Sequence, residues 1–97
     1  VGVVPHNPLS PVSTAACLQI AASAPNFALQ EYPIGEDVAP KTNMVTGMAK
    51  HDGNGYLIIS DAPGIGMELK PDAVEMCPET PREVITRLHA DGSVIDQ

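Results

Sequence analysis

The chain has 97 residues, of which 12 are acidic and 5 are basic, so its formal net charge is −7. Because an acidic surface repels nucleic acid and anionic membranes, we expect neither as a partner. A domain of this length buries only about 60–65% of the surface of its unfolded chain. With no Trp and a single Phe to enlarge the core, the composition fits a slice of a larger core better than a complete small one.

The first third of the chain predicts a strand, a turn, a helix and a second strand. Residues 1–5 are apolar and mostly β-branched, as in a strand that is buried on both faces. Ser10 and Pro11 are typical of a helix N-cap and first helical residue, and the predicted helix spans residues 11–23. Residues 27–31 predict the second strand. This order indicates parallel strands with a right-handed crossover, and therefore an α/β fold.

Two chemically capable side chains lie at the ends of these predicted strands. His6 follows the first strand and Glu31 ends the second. In parallel α/β folds, ligands bind at the edge where the carboxyl ends of the strands meet. The imidazole makes His6 a candidate acid or base near neutral pH, and Glu31 could bind a substrate hydroxyl or a metal. These residues alone leave open a turn histidine without a chemical role and a solvated loop acid.

The remaining two thirds of the chain have a more polar and irregular pattern. In chain order, the pattern predicts a helical turn over residues 44–49, a turn over 51–55, a strand over 56–59, a Gly/Pro loop over 61–66, a helix over 71–76, a strand over 84–88 and a turn at 91–92. No internal repeat is evident.

Other residue patterns favour structural explanations. Gly64 and Gly66 have the G-x-G spacing of a phosphate loop, but no third Gly stands at the fingerprint position, so a turn is favoured. His51 and His89 have acidic neighbours, yet scattered single ligands do not predict a metal site. We therefore assign no metal ligand in this chain.

The cysteine usage bears on the cellular compartment. Cys17 and Cys77 are too few for a disulfide framework, and we interpret both as small buried apolar side chains. This usage fits a reducing cytoplasm, which is the location we predict. No run approaches the roughly 18 apolar residues of a membrane span, and no secretory signal is visible.

Several segments, taken together in chain order, resemble one enzyme family. They are residues 6–11 (HNPLSP), 15–19 (AACLQ), 23–26 (SAPN), 30–31 (QE), 63–68 (PGIGME) and 87–94 (RLHADGSV). Their order is similar to that in the mandelate racemase subgroup of the enolase superfamily, and most similar to its galactonate dehydratase branch. The resemblance covers essentially the whole chain.

This resemblance implies a (β/α)7β barrel of the TIM type with a separate α+β capping domain. Residues 1–35 would be the last strands and helix of the barrel. Residues 36–97 would be the connecting loop and the C-terminal return segment of the cap. Two strands cannot close a barrel, so we expect the apolar faces of Val3, Leu18 and Ile20 to be exposed in the isolated chain. The expected partners are the remainder of the barrel and cap, and association into homo-oligomers would be compatible with such a barrel.

The resemblance also implies a reaction, the loss of water from an aldonic acid of the galactonate type. A base removes the proton next to the carboxylate, Mg²⁺ stabilises the enediolate, and the 3-hydroxyl leaves to give a 2-keto-3-deoxy acid. His6 would be the acid that protonates the leaving hydroxyl, and Glu31 would bind the substrate carboxylate or the enediolate. The Mg²⁺ ligands, a second histidine and an Asp that orients His6 would lie on strands outside this chain, which alone is expected to be inactive.

Three alternatives stay open. A racemase, epimerase or cycloisomerase of the same superfamily would share the histidine on the seventh strand. A truncated, inactive fragment would require no role for His6. A small ligand-binding module is disfavoured by the thin core.

Overall fold

The structure is a computed structural model that describes residues 1–81 and 87–95. Its elements in chain order are helix α1 (Pro11–Ser23), a 3₁₀ turn (Lys41–Asn43), strands β1 (Val45–Thr46), β2 (Lys50–His51), β3 (Leu57–Ile58) and β4 (Glu68–Leu69), and helix α2 (Ala73–Met76). Strand β1 pairs with β4, and β2 pairs with β3, both antiparallel. The described part of the chain is therefore a mixture of one long helix and several very short strands.

Helix α1 confirms the prediction for residues 11–23. Ser10 is its N-cap, and the Ser10 side chain accepts a hydrogen bond from the Ser13 N–H at 3.5 Å. Pro11 occupies the first turn, where its missing N–H costs nothing. Within the described residues, no helix has both the length and the apolar character that a membrane crossing requires.

The segments that flank α1 meet in parallel, as predicted, but over a shorter length. Val3 forms a parallel β-bridge with Phe27. The Val3 N–H donates to the Asn26 carbonyl and the Ala28 N–H donates to the Val3 carbonyl, both at 2.9 Å. Continuous strands over residues 1–5 and 27–31 are not formed, because two strands alone make a marginal sheet. The barrel and the domain boundary at residues 35/36 stay predictions.

The predicted helical turn over residues 44–49 is wrong. The chain forms the 3₁₀ turn just before this segment and then enters strand β1. Val45 pairs with Leu69 and is only 4% exposed. The local pattern predicted a helical turn here, but pairing with a strand that is distant in the sequence places this β-branched residue in a strand. Gly47 ends β1 with a positive φ of 78°, which a continuing helix does not allow.

The later predictions are largely confirmed, with shorter elements. Residues 51–55 turn the β2–β3 hairpin, and β3 spans Leu57–Ile58 instead of residues 56–59. Helix α2 spans Ala73–Met76 instead of residues 71–76. The predicted strand over residues 84–88 falls mostly outside the described residues, although Leu88 forms an antiparallel bridge with Val94 around the predicted turn at 91–92.

The core of the described chain is small and centres on helix α1. Its buried apolar residues are Ala15, Cys17, Leu18, Val45 and Ala73. The expectation of an exposed Leu18 is wrong, since this side chain is 6% exposed and lines one cavity together with Ile58 of the hairpin. Val3 is half-buried, whereas Ile20 is 52% exposed as expected. Among the described residues, the hairpin therefore faces the side of α1 that carries Leu18, whereas the side that carries Ile20 is exposed.

Candidate functional site

The structure brings the two predicted site residues together. His6 Nδ1 lies 3.0 Å from Glu31 Oε2. The parallel bridge between Val3 and Phe27 brings the ends of the two segments that carry these side chains next to each other. Both side chains reach solvent, with His6 80% and Glu31 42% exposed. The predicted shared edge is therefore a physical cluster, and it is open to a ligand.

The short distance between His6 and Glu31 determines where the imidazole carries its proton. A carboxylate oxygen only accepts, and two facing lone pairs at 3.0 Å would repel each other, so Nδ1 is protonated. Nε2 is then the nitrogen at which a proton can enter or leave. An exposed ion pair contributes only about 0–1 kcal/mol to stability, so the main consequence of this contact is the orientation of the imidazole.

A buried asparagine, Asn7, joins the same two strand ends. Its backbone N–H donates to Glu31 Oε2 at 2.5 Å, and its side-chain Nδ2 donates to the Glu31 carbonyl at 3.1 Å. The same Nδ2 donates to Thr14 Oγ1 on helix α1 at 2.6 Å. Asn7 is 0% exposed and Thr14 is 1% exposed. Glu31 is therefore held at its main chain and at its carboxylate by one residue of the opposite strand end.

The Glu31 main chain has a second amide partner. Gln30 Nε2 donates to the Glu31 carbonyl at 2.7 Å, beside the Asn7 amide. A carbonyl oxygen has two lone pairs, so both donors can be accommodated. The end of the second strand is thus fixed by side-chain amides where a regular sheet would use a backbone ladder.

The remaining sequence candidates do not join this cluster. The loop over residues 61–66 is a turn in which the Gly66 N–H donates to the Pro63 carbonyl at 3.3 Å. His51 packs its ring edge-on against Tyr32, with centroids 4.6 Å apart. Cys17 is buried and Cys77 is half-buried, and both are free thiols. Across residues 1–81 and 87–95, no group of three or more His, Cys, Asp or Glu side chains is arranged to hold a metal ion.

The pattern of residues did not identify Asn7 and Thr14 as part of the site. Two signals in the sequence could have indicated these residues. Asn7 stands directly after the candidate histidine, and Thr14 is a polar residue in an apolar helix.

Glu36 is a buried acidic residue that the residue pattern also did not identify, and it is only 1% exposed. Burial, together with the negative charges of Glu36 and Asp37, raises the pKa of Tyr32 above its ordinary value.

Comparison with known proteins places this geometry in context. A family model described as enolase C-terminal domain-like matches residues 1–73. The D-galactonate dehydratase of Xanthomonas campestris pv. campestris is 32% identical over 103 residues, which cover 99% of this chain and 27% of that protein. A D-galactonate dehydratase family member from Streptomyces bingchenggensis is 35% identical over 94 residues, which cover 95% of this chain and 22% of that protein.

A solved structure shares the fold of the chain. It is the crystal structure of an enolase from Agrobacterium radiobacter, provisionally assigned as a galactarate dehydratase, with bound Na and L-malate. Its TM-score is 0.70 at 29% identity, and the similarity covers 97% of this chain and 27% of that one. The chain therefore spans about a quarter of the length of the proteins that it matches.

Proposed function

Because the chain belongs to the enolase C-terminal domain-like family, we propose that it supplies one part of a sugar-acid dehydratase. The observation that carries this proposal is the pairing of His6 with Glu31 in a chain that is similar to galactonate dehydratases over 99% of its length. The reaction is removal of the proton next to the carboxylate of an aldonate, followed by loss of the 3-hydroxyl to give a 2-keto-3-deoxy acid. The substrate class is a galactonate-type sugar acid.

His6 is the general acid in this proposal. Hydroxide is a poor leaving group, so the departing 3-hydroxyl must receive a proton as its bond to carbon breaks. The exposed imidazole can deliver that proton from Nε2, since Nδ1 faces Glu31. The proton abstraction next to the carboxylate is assigned to a base outside this chain.

Glu31 has two tasks in the same proposal. Through Oε2 it balances the positive charge of the protonated imidazole of His6. Both contacts that the structure describes for its carboxylate fall on Oε2, so Oε1 is the oxygen offered to a substrate hydroxyl or to the enediolate. Glu31 would thus bind the substrate and, together with the Asp expected on a strand outside this chain, orient the acid.

Mg²⁺ does not fit the residues of the described chain. Of the two site residues, only Glu31 carries a carboxylate, and one of its oxygens is engaged by His6 and Asn7. The described ranges hold no cluster of three candidate metal ligands. We therefore propose that any Mg²⁺ is held by strands outside this chain.

Superfamily racemases, epimerases and cycloisomerases would also begin with proton removal, so product analysis separates them from a dehydratase. The full-length protein that carries this segment should be incubated with Mg²⁺ and with D-galactonate, galactarate and related sugar acids labelled with deuterium next to the carboxylate. A dehydratase gives a keto acid together with loss of the label. Loss of the label without a keto acid would favour a racemase or epimerase, and retention of the label with every substrate would support an inactive protein.

A further inference from the structure

Asn7 is the most completely buried polar residue at the edge where His6 and Glu31 meet. Its side-chain amide contacts a helix and a strand end at the same time, through Thr14 Oγ1 and the Glu31 carbonyl. A buried polar group is costly unless it is hydrogen-bonded, and these two contacts satisfy the Nδ2 group of Asn7, whereas its Oδ1 is buried without a partner among the described residues. His6 precedes Asn7 directly in the chain, but neither of these hydrogen bonds involves His6.

We propose that Asn7 is a positioning residue, supported by Thr14, that sets the distance between the His6 imidazole and the Glu31 carboxylate. This inference rests on the proposed function, because the distance matters for catalysis only if His6 transfers a proton. The line of contacts runs from helix α1 through Thr14 to Asn7, from Asn7 to Glu31, and from Glu31 to His6.

The orientation of the Asn7 amide follows from its partners. The Glu31 carbonyl can only accept, so the amide must turn its Nδ2 donor toward it. A flipped amide would face two oxygens toward each other at that contact. Thr14 then accepts the second Nδ2 hydrogen, and its own N–H is bound to the Ser10 carbonyl at 3.0 Å in the first turn of α1. The support is therefore a rigid helix end.

Asn26 provides a comparison within the same pair of segments. Its Nδ2 donates to the Val1 carbonyl at 3.1 Å, so it also joins the two segments through a side-chain amide. It does so in an exposed position, on the opposite side of the Val3–Phe27 bridge from His6 and Glu31. Loss of the Asn26 amide should loosen the pair of segments without changing the contact between His6 and Glu31.

The activity test uses Thr14→Val, Thr14→Ser and Asn7→Asp in the full-length protein, with Asn26→Asp as the matched control. Misplacement of a catalytic group by about 1 Å can cost on the order of 10²-fold in rate. We expect Thr14→Val and Asn7→Asp each to lower kcat roughly 10- to 100-fold with KM little changed, and Thr14→Ser to keep the kcat of the wild type because it retains the hydroxyl. The proposal is overturned if Thr14→Val keeps the kcat of the wild type, or loses no more than Asn26→Asp.

A second readout does not need activity and covers the case in which Asn7→Asp folds poorly. Nitrogen-15 spectra of labelled histidine report which ring nitrogen of His6 carries the proton when the ring is neutral. The wild type should show His6 protonated at Nδ1, and Thr14→Val should show a mixture of both tautomers, whereas Asn26→Asp should not. Unchanged tautomers in Thr14→Val would refute the positioning role. If the wild type dehydrates no sugar acid, the proposed function fails and the spectra alone decide this inference.

Discussion

Glu31 is the residue on which the site depends most, because its carboxylate faces both an acid candidate and a backbone donor. Oε2 lies 3.0 Å from His6 Nδ1 and accepts from the Asn7 N–H at 2.5 Å. The pair with His6 is exposed, and exposed pairs contribute only about 0–1 kcal/mol to folding. Its contribution should therefore appear in catalysis more than in stability.

Replacement of the Glu31 carboxylate by an amide should separate these two contributions. Glu31→Gln keeps the shape but removes the charge that balances a protonated His6. We expect dehydration to fall on the order of 10²- to 10⁴-fold, while the free energy of unfolding changes by less than about 1 kcal/mol. Steady-state kinetics and thermal melts of the full-length protein measure both. A clear loss of stability with activity intact would show that Glu31 is structural.

Asp52, in the turn of the β2–β3 hairpin, carries a second carboxylate that accepts hydrogen bonds from backbone N–H groups. Its Oδ1 accepts from the Asn54 N–H at 2.7 Å and from the Tyr56 N–H at 3.1 Å. The hydrogen bond from Asn54 and then that from Tyr56 hold the pKa of Asp52 below its ordinary value of 3.8. Because the folded pKa is the lower one, Asp52 stabilises the hairpin above the unfolded pKa and loses that effect as the pH falls through the folded pKa.

This depression of the pKa of Asp52 can be measured directly. A carbon-13 titration of the Asp52 carboxyl should have its midpoint below 3.8 in the folded protein. Asp52→Asn should remove the part of the acid dependence of stability that this group contributes. A midpoint at or above the ordinary value would mean that the two backbone hydrogen bonds do not form in solution.

The elements differ in how strongly local sequence specifies them. Helix α1 was predicted to the residue because its signals are local, with a capping Ser10, a Pro at the start and a Pro shortly after the end. Strand β1 was not predicted, because its partner strand β4 lies more than 20 residues later in the chain. His6 and Glu31 were predicted from their places at strand ends. The Asn7–Thr14 contact was not, because it depends on how a helix packs on a loop.

The end of strand β1 depends on a glycine for two separate reasons. Gly47 has a positive φ of 78°, and a Cβ built on it would lie 2.5 Å from the Gly66 carbonyl oxygen. Gly53 in the hairpin turn has a similar φ of 84°, but a Cβ there would meet no atom within 4 Å. A side chain at either glycine would therefore adopt an unfavourable left-handed backbone conformation, but only a side chain at position 47 would also clash with a neighbouring atom.

Alanine substitutions at these two glycines should separate the two reasons. Gly53→Ala should cost about 1–2 kcal/mol, which is the penalty of a left-handed conformation for a residue with a Cβ. Gly47→Ala should cost more, because the carbonyl of Gly66 must also move. Chemical denaturation of both variants measures the difference. Equal losses would mean that β1 and β4 do not approach each other as closely as in the structure.

The molecule as a whole is too open for an independent domain of its length. Its radius of gyration is 16.7 Å, whereas a compact domain of about 100 residues has about 13 Å. In the described part of the chain, many large apolar side chains are exposed, among them Val4, Leu9, Leu29, Ile34 and Val74. This openness supports the proposal that the chain packs against further polypeptide, as expected from relatives that are about four times longer.

The isolated 97-residue chain should therefore behave as an incomplete core. We expect it to bind a hydrophobic dye or to self-associate, because many large apolar side chains are exposed among the residues that the structure describes. We also expect it to form no keto acid from aldonates in the presence of Mg²⁺. Dye fluorescence, sedimentation and a keto-acid assay test these expectations. A chain that stays monomeric, does not bind the dye and forms keto acid would show that its core and site are complete.

We propose that His6 is the acid that releases water from a sugar acid, and a comparison of two histidine variants tests this role. His6→Asn and His89→Asn should be made in the full-length protein, since His89 is an exposed histidine outside the site. With D-galactonate and Mg²⁺, we predict that His6→Asn loses keto-acid formation while it still folds and binds Mg²⁺, and that His89→Asn turns over like the wild type. Keto-acid formation by His6→Asn at the rate of the wild type would show that His6 is not this acid.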